Sequence, residues 1–236
     1  MKITVINGGM RHGSTWHCKE AILKAIGEHT ETEVTEFSLP RDLPHFCVGC
    51  YQCFLKGEQS CPHAAFVQPI AQALCQSDLI MLASPVYGLD VSGQMKACLD
   101  HLCYQWMSHR PSAAMFRKLG LVVTTTAGMG LRRTGKTMRL SLKYWGVQKI
   151  FTFAKPVAAM RWEEIPDRKR KQIEQSAQVT ASGILRAAGR GARLRKPFFR
   201  SLLFAMMAGM QKKNDWNPTD REHWEKQGWL SGARPY

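Results

Sequence analysis

Apolar and polar positions along this chain alternate between two periods. Lys2–Asn7 (KITVIN) is a short β-branched run ending at Gly8-Gly9, the pattern of a strand passing into a loop. Ser14 and Thr15, helix-capping residue types, precede a stretch in which Ile22, Leu23 and Ile26 share one face and Gly27 marks the end. Thr32–Phe37 alternates as a second strand, and Phe66–Cys75 returns to helical spacing. Asp78–Ala83 (DLIMLA) is an uninterrupted apolar run, as expected of a strand covered on both faces. Ser92–Trp106 predicts a helix, Leu119–Thr125 another buried strand, Arg132–Trp145 a helix and Val147–Phe153 a fifth strand. Strands alternating with helices in this way predict an α/β domain, a parallel sheet with helices on both faces. Ligands of such sheets bind outside the carboxyl ends of the strands, where the strand order reverses.

The pattern changes after about residue 155, which divides the chain into a sheet domain (1–155) and a helical extension (156–236). Residues 1–150 carry 16 basic and 10 acidic side chains, whereas 151–236 carry 17 and 8. Arg186–Lys213 holds eight basic residues and no acid. Asp167–Arg186 and Phe198–Lys212 have helical spacing, and Trp216, Trp224 and Trp229 mark the end of the chain. Phe198, Phe199, Leu202, Leu203, Phe204, Met206 and Met207 make the second of these helices amphipathic beside its basic neighbours. That composition suits an anionic lipid surface, a nucleic-acid backbone, or packing on the protein's own domain or a partner subunit. No recognised nucleic-acid-binding motif accompanies it, and the expectation is packing, with peripheral membrane contact left open.

Composition narrows the class. The 236 residues are 44% hydrophobic and 22% charged, which excludes wholesale disorder, and the formal net charge is +15. The longest apolar run, Pro197 to Met210, is interrupted by Arg200 and falls short of a membrane span. The opening residues turn to glycine too early for a secretory signal. The expectation is a soluble cytoplasmic protein.

Three loops follow predicted strands. In Gly8-Gly9-Met10-Arg11-His12-Gly13-Ser14-Thr15 the glycines let backbone approach an anion, and the next helix offers unpaired amides and the positive end of its dipole. Gly8 and Gly13 have the spacing of a triphosphate loop, but Ser14 stands where that loop needs lysine, so a monophosphate fits better than a triphosphate. G-x-G-x-x-G is absent, which disfavours a Rossmann-type dinucleotide site. Ser84-Pro85-Val86-Tyr87-Gly88 supplies a rigid turn and a flat aromatic face. Thr126-Ala127-Gly128-Met129-Gly130 brings small residues and amides but neither acid nor base. No G-x-S-x-G elbow or H-E-x-x-H pair is present, against hydrolase and zincin chemistry.

Cys47, Cys50, Cys53 and Cys61-Pro62 form C-x2-C-x2-C-x7-C-P. Three thiolates at two-residue spacing can wrap one metal cluster while a fourth closes it, although the last gap is longer than in bacterial ferredoxins. The spacing leaves open a [4Fe–4S] cluster, a four-thiolate zinc site, or redox-active thiols. Cys18, Cys75, Cys98 and Cys103 lie in helix-like stretches and read as buried thiols. His12 and His101 are candidates to approach a redox ring, and His45 and His63 flank the cysteines.

With its glycine- and hydroxyl-rich first loop, SPVYG, Gln94-Met95-Lys96 and Leu99-Asp100, the chain resembles the flavodoxin-like NADPH-dependent FMN reductases over about residues 1–155. It is most similar to their iron–sulfur flavoprotein branch, in which a compact cysteine motif follows the second strand. The resemblance implies a doubly wound five-stranded sheet of order 2-1-3-4-5. Gly8, Gly9, Arg11, Gly13, Ser14 and Thr15 would be cofactor-binding, with Arg11, Gly13, Ser14 and Thr15 gripping the FMN phosphate. Ser84, Pro85, Val86, Tyr87 and Gly88 would border the isoalloxazine, and Thr126, Ala127 and Gly128 would close its other side. Gly9-Met10 replaces the family's usual Ser-Pro, and Asp100-His101 its usual Asp-Arg. The implied activity is NAD(P)H oxidation through FMN, with electrons passed to a quinone, a flavin, another small acceptor or an iron–sulfur centre. The alternative is a non-enzymatic electron carrier between proteins. A homodimer or tetramer is implied as well.

Overall fold

The computed structural model describes residues 1–159, 161–191 and 198–235. Pro197, where the longest apolar run begins, the side chain of Phe199, and the stretch 192–197 of the basic segment lie outside the described residues. Strands β1 (Lys2–Asn7), β2 (Glu33–Ser38), β3 (Leu79–Ala83), β4 (Leu119–Thr126) and β5 (Lys149–Pro156) form one parallel sheet in the order β2-β1-β3-β4-β5. Every residue of β3 and β4 is buried, as their unbroken apolar sequences require, whereas β2 lies at an edge and is partly exposed. This is the flavodoxin-like arrangement the sequence resemblance implied.

The sheet sends alternate side chains to two separate cores. On one face Ile6, Ile80, Leu82 and Val122 pack against α3 (Ala64–Gln76), α4 (Gly93–His101) and α5 (Leu131–Tyr144). On the other, Ile3, Val5, Met81, Leu121, Val123 and Phe153 pack against α1 (Ser14–Gly27) and α6 (Asp167–Arg190). Helix α6, which composition assigns to the extension, completes this layer with Ile173, Ala177, Ala181, Ile184 and Ala187. Its alanine-rich buried ridge gives little hydrophobic contrast, so the charge of its outer face dominates the sequence pattern.

Short α2 (Gln52–Leu55) lies within the cysteine loop, and α7 (Phe198–Gln211) and α8 (Pro218–Lys226) follow α6. The latter two form a third core in which Leu203, Phe204, Trp224 and Trp229 meet Met107 and Phe116. Arg200 is buried there and donates to the carbonyls of Phe116 (2.9 Å) and Gly146 (3.1 Å). Apolar side chains of α7 and α8 and the Arg200 guanidinium thus contact the segment that precedes β4 and the turn that follows α5.

Several boundaries differ from expectation; α6, for example, runs four residues past Arg186, to Arg190. The helix expected over Ser92–Trp106 ends at His101 and the chain tightens into a 3-10 turn over Cys103–Gln105; here His101 Nδ1 lies 2.8 Å from Ala97 O, and Trp145 Nε1 donates to Leu102 O (3.2 Å). The last strand begins at Lys149, after Gly146 turns the chain with a φ of 94°, and continues to Pro156 alongside Thr126. Among the described residues, no helix is long and apolar enough to cross a membrane.

Candidate functional site

The first loop connects the carboxyl end of β1 to α1. Gly8 N–H bonds Ala83 O (2.8 Å), and Gly9 N–H bonds the Asn7 side chain (3.0 Å), which holds the loop against the strand ends. A Cβ on Gly8 would lie 2.7 Å from Ser92 Oγ and 2.9 Å from Met95 Cβ, so glycine here lets α4 close behind the loop. Substituting Gly8 with alanine is expected to cost about 1–3 kcal/mol through overpacking. Urea unfolding of the flavin-free protein checks this, and an unchanged midpoint would refute the packing argument.

Helix α1 begins without a side-chain cap. Gly13, its extended N-cap, carries none, and the first turn holds no acid. The leading amides and the positive end of the helix dipole thus face the strand ends without a side-chain acceptor, which favours an anion. Thr15 is buried, with its hydroxyl 2.6 Å from that of Thr125, while Ser14 is only partly covered.

The second loop is fixed internally. Ser84 Oγ donates to Pro85 O (2.9 Å) and accepts from Ser92 N–H (3.0 Å), and Val86 N–H bonds Thr125 O (3.0 Å). Tyr87 and Asp90 exchange backbone hydrogen bonds around Gly88. Burial pushes the Asp90 carboxyl up, but bonds from Arg133 Nε (2.9 Å), Thr137 Oγ1 (2.7 Å) and Val91 N–H (2.8 Å) outweigh it and hold the group below the usual carboxylate range. That stabilisation is present above the ordinary carboxylate pKa and fades as the pH falls through the lowered one. In the third loop, Thr126 Oγ1 donates to Met129 O (2.8 Å) and accepts from Gly128 N–H (3.1 Å). Gly130, with a φ of 97°, lies so close to the second loop that a Cβ would stand 2.6 Å from Val86 Cγ1.

These loops enclose a cleft of about 180 Å³. Of the residues expected to bind the cofactor, Gly9, Arg11, Gly13, Ser14, Thr15, Pro85, Val86, Tyr87, Thr126 and Ala127 line this cleft. Gly8, Ser84, Gly88 and Gly128 are not part of the wall; they shape the backbone behind it. Trp16, Thr125, Val157 and Ala159 also line the cleft and were not anticipated. Thr125 immediately precedes the loop that was recognised. Val157 lies beyond the expected end of β5, and its N–H bonds Thr126 O (2.8 Å). Trp16 stacks on His12 at 4.4 Å, and His17 stacks on Trp162 at 4.4 Å. His12 is thus engaged with a tryptophan at the cleft's edge, and His101 lies elsewhere, on α4.

The cysteine loop runs between β2 and α3. Gly49 and Tyr51 both have φ near +60° (64° and 58°), which curls the chain and delivers Cys53 onto α2. Cys47 and Cys50 are exposed; Cys53 and Cys61 are half-buried. Burial pushes the Cys53 thiol up to about 11, and the neighbouring Cys61 and Cys47 push in the same direction. Cys61 is raised by burial, with Cys50 and Cys47 adding to it. Mutual repulsion means that the four sulfurs share one field, which a cationic metal centre would relieve. Among the described residues no three of these thiols lie within 4.8 Å of one another, the spacing for a single ion, so it is the chemistry of the donor set, four cysteines on one loop, that fits a thiolate-bound cluster. Beside them His63 Nδ1 is 2.9 Å from His101 Nε2, and the ligand atoms of Cys61, His63 and His101 lie within 4.8 Å of one another. His45 stacks on His63 at 4.5 Å.

Comparison with known proteins gives the family. Residues 1–159 match the family model of the NADPH-dependent FMN reductases. The chain belongs to that family. An iron–sulfur flavoprotein of Archaeoglobus fulgidus is 29% identical over 146 residues, 61% of this chain and 63% of that one. An iron–sulfur flavoprotein of Methanocaldococcus jannaschii is 38% identical over 102 residues, 42% of this chain and 51% of that one. The chain thus spans less than two thirds of the length of these two relatives. The NAD(P)H:quinone oxidoreductase of Methanothermobacter marburgensis shares the fold, with a TM-score of 0.57 over 77% of this chain and 97% of that one at 15% identity.

Proposed function

We propose that this FMN reductase family member binds FMN in the cleft and uses it to oxidise NAD(P)H, passing electrons to a small acceptor such as a quinone or flavin, or to an iron–sulfur centre on the cysteine loop. The observation that carries the reading is the uncapped start of α1 facing the same cleft as two further strand-end loops. The first-turn amides, Ser14, Thr15 and Arg11 hold the phosphate. Pro85, Val86 and Tyr87 border one edge of the ring, and Thr126 and Ala127 the other. Bound there, FMN would supply hydride acceptance and one- or two-electron release. No carboxylate or imidazole lines the cleft among the described residues, so the protein's part is position and polarity. The net charge of +15 draws anionic nicotinamide nucleotides toward it.

Anaerobic mixing with NADPH should bleach the visible flavin band at the rate of turnover. A second reading, an electron carrier between proteins, is favoured by the four thiols carried on one loop, two of them exposed. It predicts slow bleaching by NADPH but fast exchange with a reduced ferredoxin.

The protein is proposed to act in the cytoplasm as a homodimer or tetramer. Phe198, Leu202, Met206 and Met210 support an interface: they recur every fourth residue along α7 and are all exposed. Light scattering of the purified protein reads the subunit count, and co-flotation of a monomer with anionic liposomes would favour membrane contact instead.

A further inference from the structure

The cysteine loop is not held by the sheet domain alone. Thr219, in the first turn of α8, donates its hydroxyl to Leu55 O at 2.9 Å. Arg110 donates to the carbonyls of Cys53 and, at 3.3 Å, Phe54. The guanidinium is itself fixed by Asp220, a fully buried carboxylate of α8 that pairs with Arg110 and also accepts from Asn217 Nδ2 at 2.9 Å. His109 completes the joint, its Nδ1 2.7 Å from Asp220 and its ring 4.4 Å from that of Phe54. Three consecutive carbonyls of the helix that carries Cys53 are thus gripped by a corner whose anchor lies some sixty residues beyond the family-matched segment 1–159.

We propose that α8 is a positioning strut for the cysteines: Asp220, through Arg110 and together with Thr219, sets how firmly the loop retains a metal cluster. This rests on the reading that Cys47, Cys50, Cys53 and Cys61 bind an iron–sulfur centre. A carbonyl that is already hydrogen-bonded cannot swing with the loop, so Cys53 Sγ keeps its place when a metal bond breaks and rebinds before the metal is lost. Groups that orient ligands in this way typically change metal retention strongly although they never touch the metal.

The test loads the full-length protein anaerobically with ferrous iron and sulfide, then follows iron transfer to a chelator in the wild type, Asp220→Asn, Asp220→Ala and Thr219→Val. Glu222→Gln, an exposed change on the same helix, is the control. Iron loss should accelerate about tenfold in the Asp220 variants, less in Thr219→Val, and not at all in the control. Bound FMN and the far-ultraviolet spectrum should be unchanged. Amide exchange over residues 50–56 of the metal-free protein should rise in the same order while α1 stays protected. Should Asp220→Ala fail to fold, the near-isosteric Asp220→Asn and the single-bond Thr219→Val carry the comparison. Wild-type retention in folded variants overturns the strut alone. A wild type that takes up no iron overturns the cluster reading and the strut with it.

Discussion

Replacing Ser14 with aspartate is expected to weaken FMN binding by about 100-fold, near 3 kcal/mol, because a fixed carboxylate then takes the amides meant for the phosphate and repels it. The same change places an acid in the first turn of α1, where none now stands, and should leave the flavin-free protein equally stable or slightly more so. The opposite signs give the test its force: general damage would lower affinity and melting temperature together. Flavin fluorescence titration reads the first quantity and thermal unfolding of the flavin-free protein the second. Wild-type affinity in Ser14→Asp would mean that the phosphate sits elsewhere.

On the proposed cluster reading, Cys53→Ala is expected to lower bound iron well below the about four atoms per chain of a loaded [4Fe–4S] site, since it removes one of the four thiolates without leaving an oxygen to replace it. FMN content should not change, because none of the cleft's lining residues comes from the cysteine loop. Iron and acid-labile sulfide assays on anaerobically prepared protein decide the matter. An alanine variant that kept its iron would show that Cys53 is not an essential ligand. Retention of zinc in place of iron by the wild type would point to the tetrahedral alternative.

The chain advertises its sheet plainly. DLIMLA and LGLVVTT have no polar interruption because β3 and β4 are covered on both sides, and any reading of apolar runs finds them. Glycine, proline and hydroxyl residues after three strands likewise reveal most of the cleft wall, since those residue types are what close backbone approach demands. Trp16, in contrast, is one aromatic among many until its stack on His12 shows which way it faces. Val157 and Ala159 are invisible for a different reason: their place in the wall depends on β5 running past Phe153 to pair with Thr126. The strut was also beyond reach. Asp220 in a run of charged residues reads as surface, and only the fold buries it against Arg110, 110 positions away. Local pattern encodes what neighbours in sequence must do; pairings across such separations leave no local trace.

Helix α4 links the two halves of this molecule. Its first turn presents Met95 to the back of Gly8, and its last residue, His101, meets His63 beside Cys61. Nine residues at about 1.5 Å each make a rod of roughly 13 Å between the first loop and the cysteine loop. Inserting a single residue would swing the histidine end through about 100° while the methionine end stayed put. The gap between the two compartments is therefore quantised by helical pitch, so lengthening it without losing both contacts requires a whole extra turn.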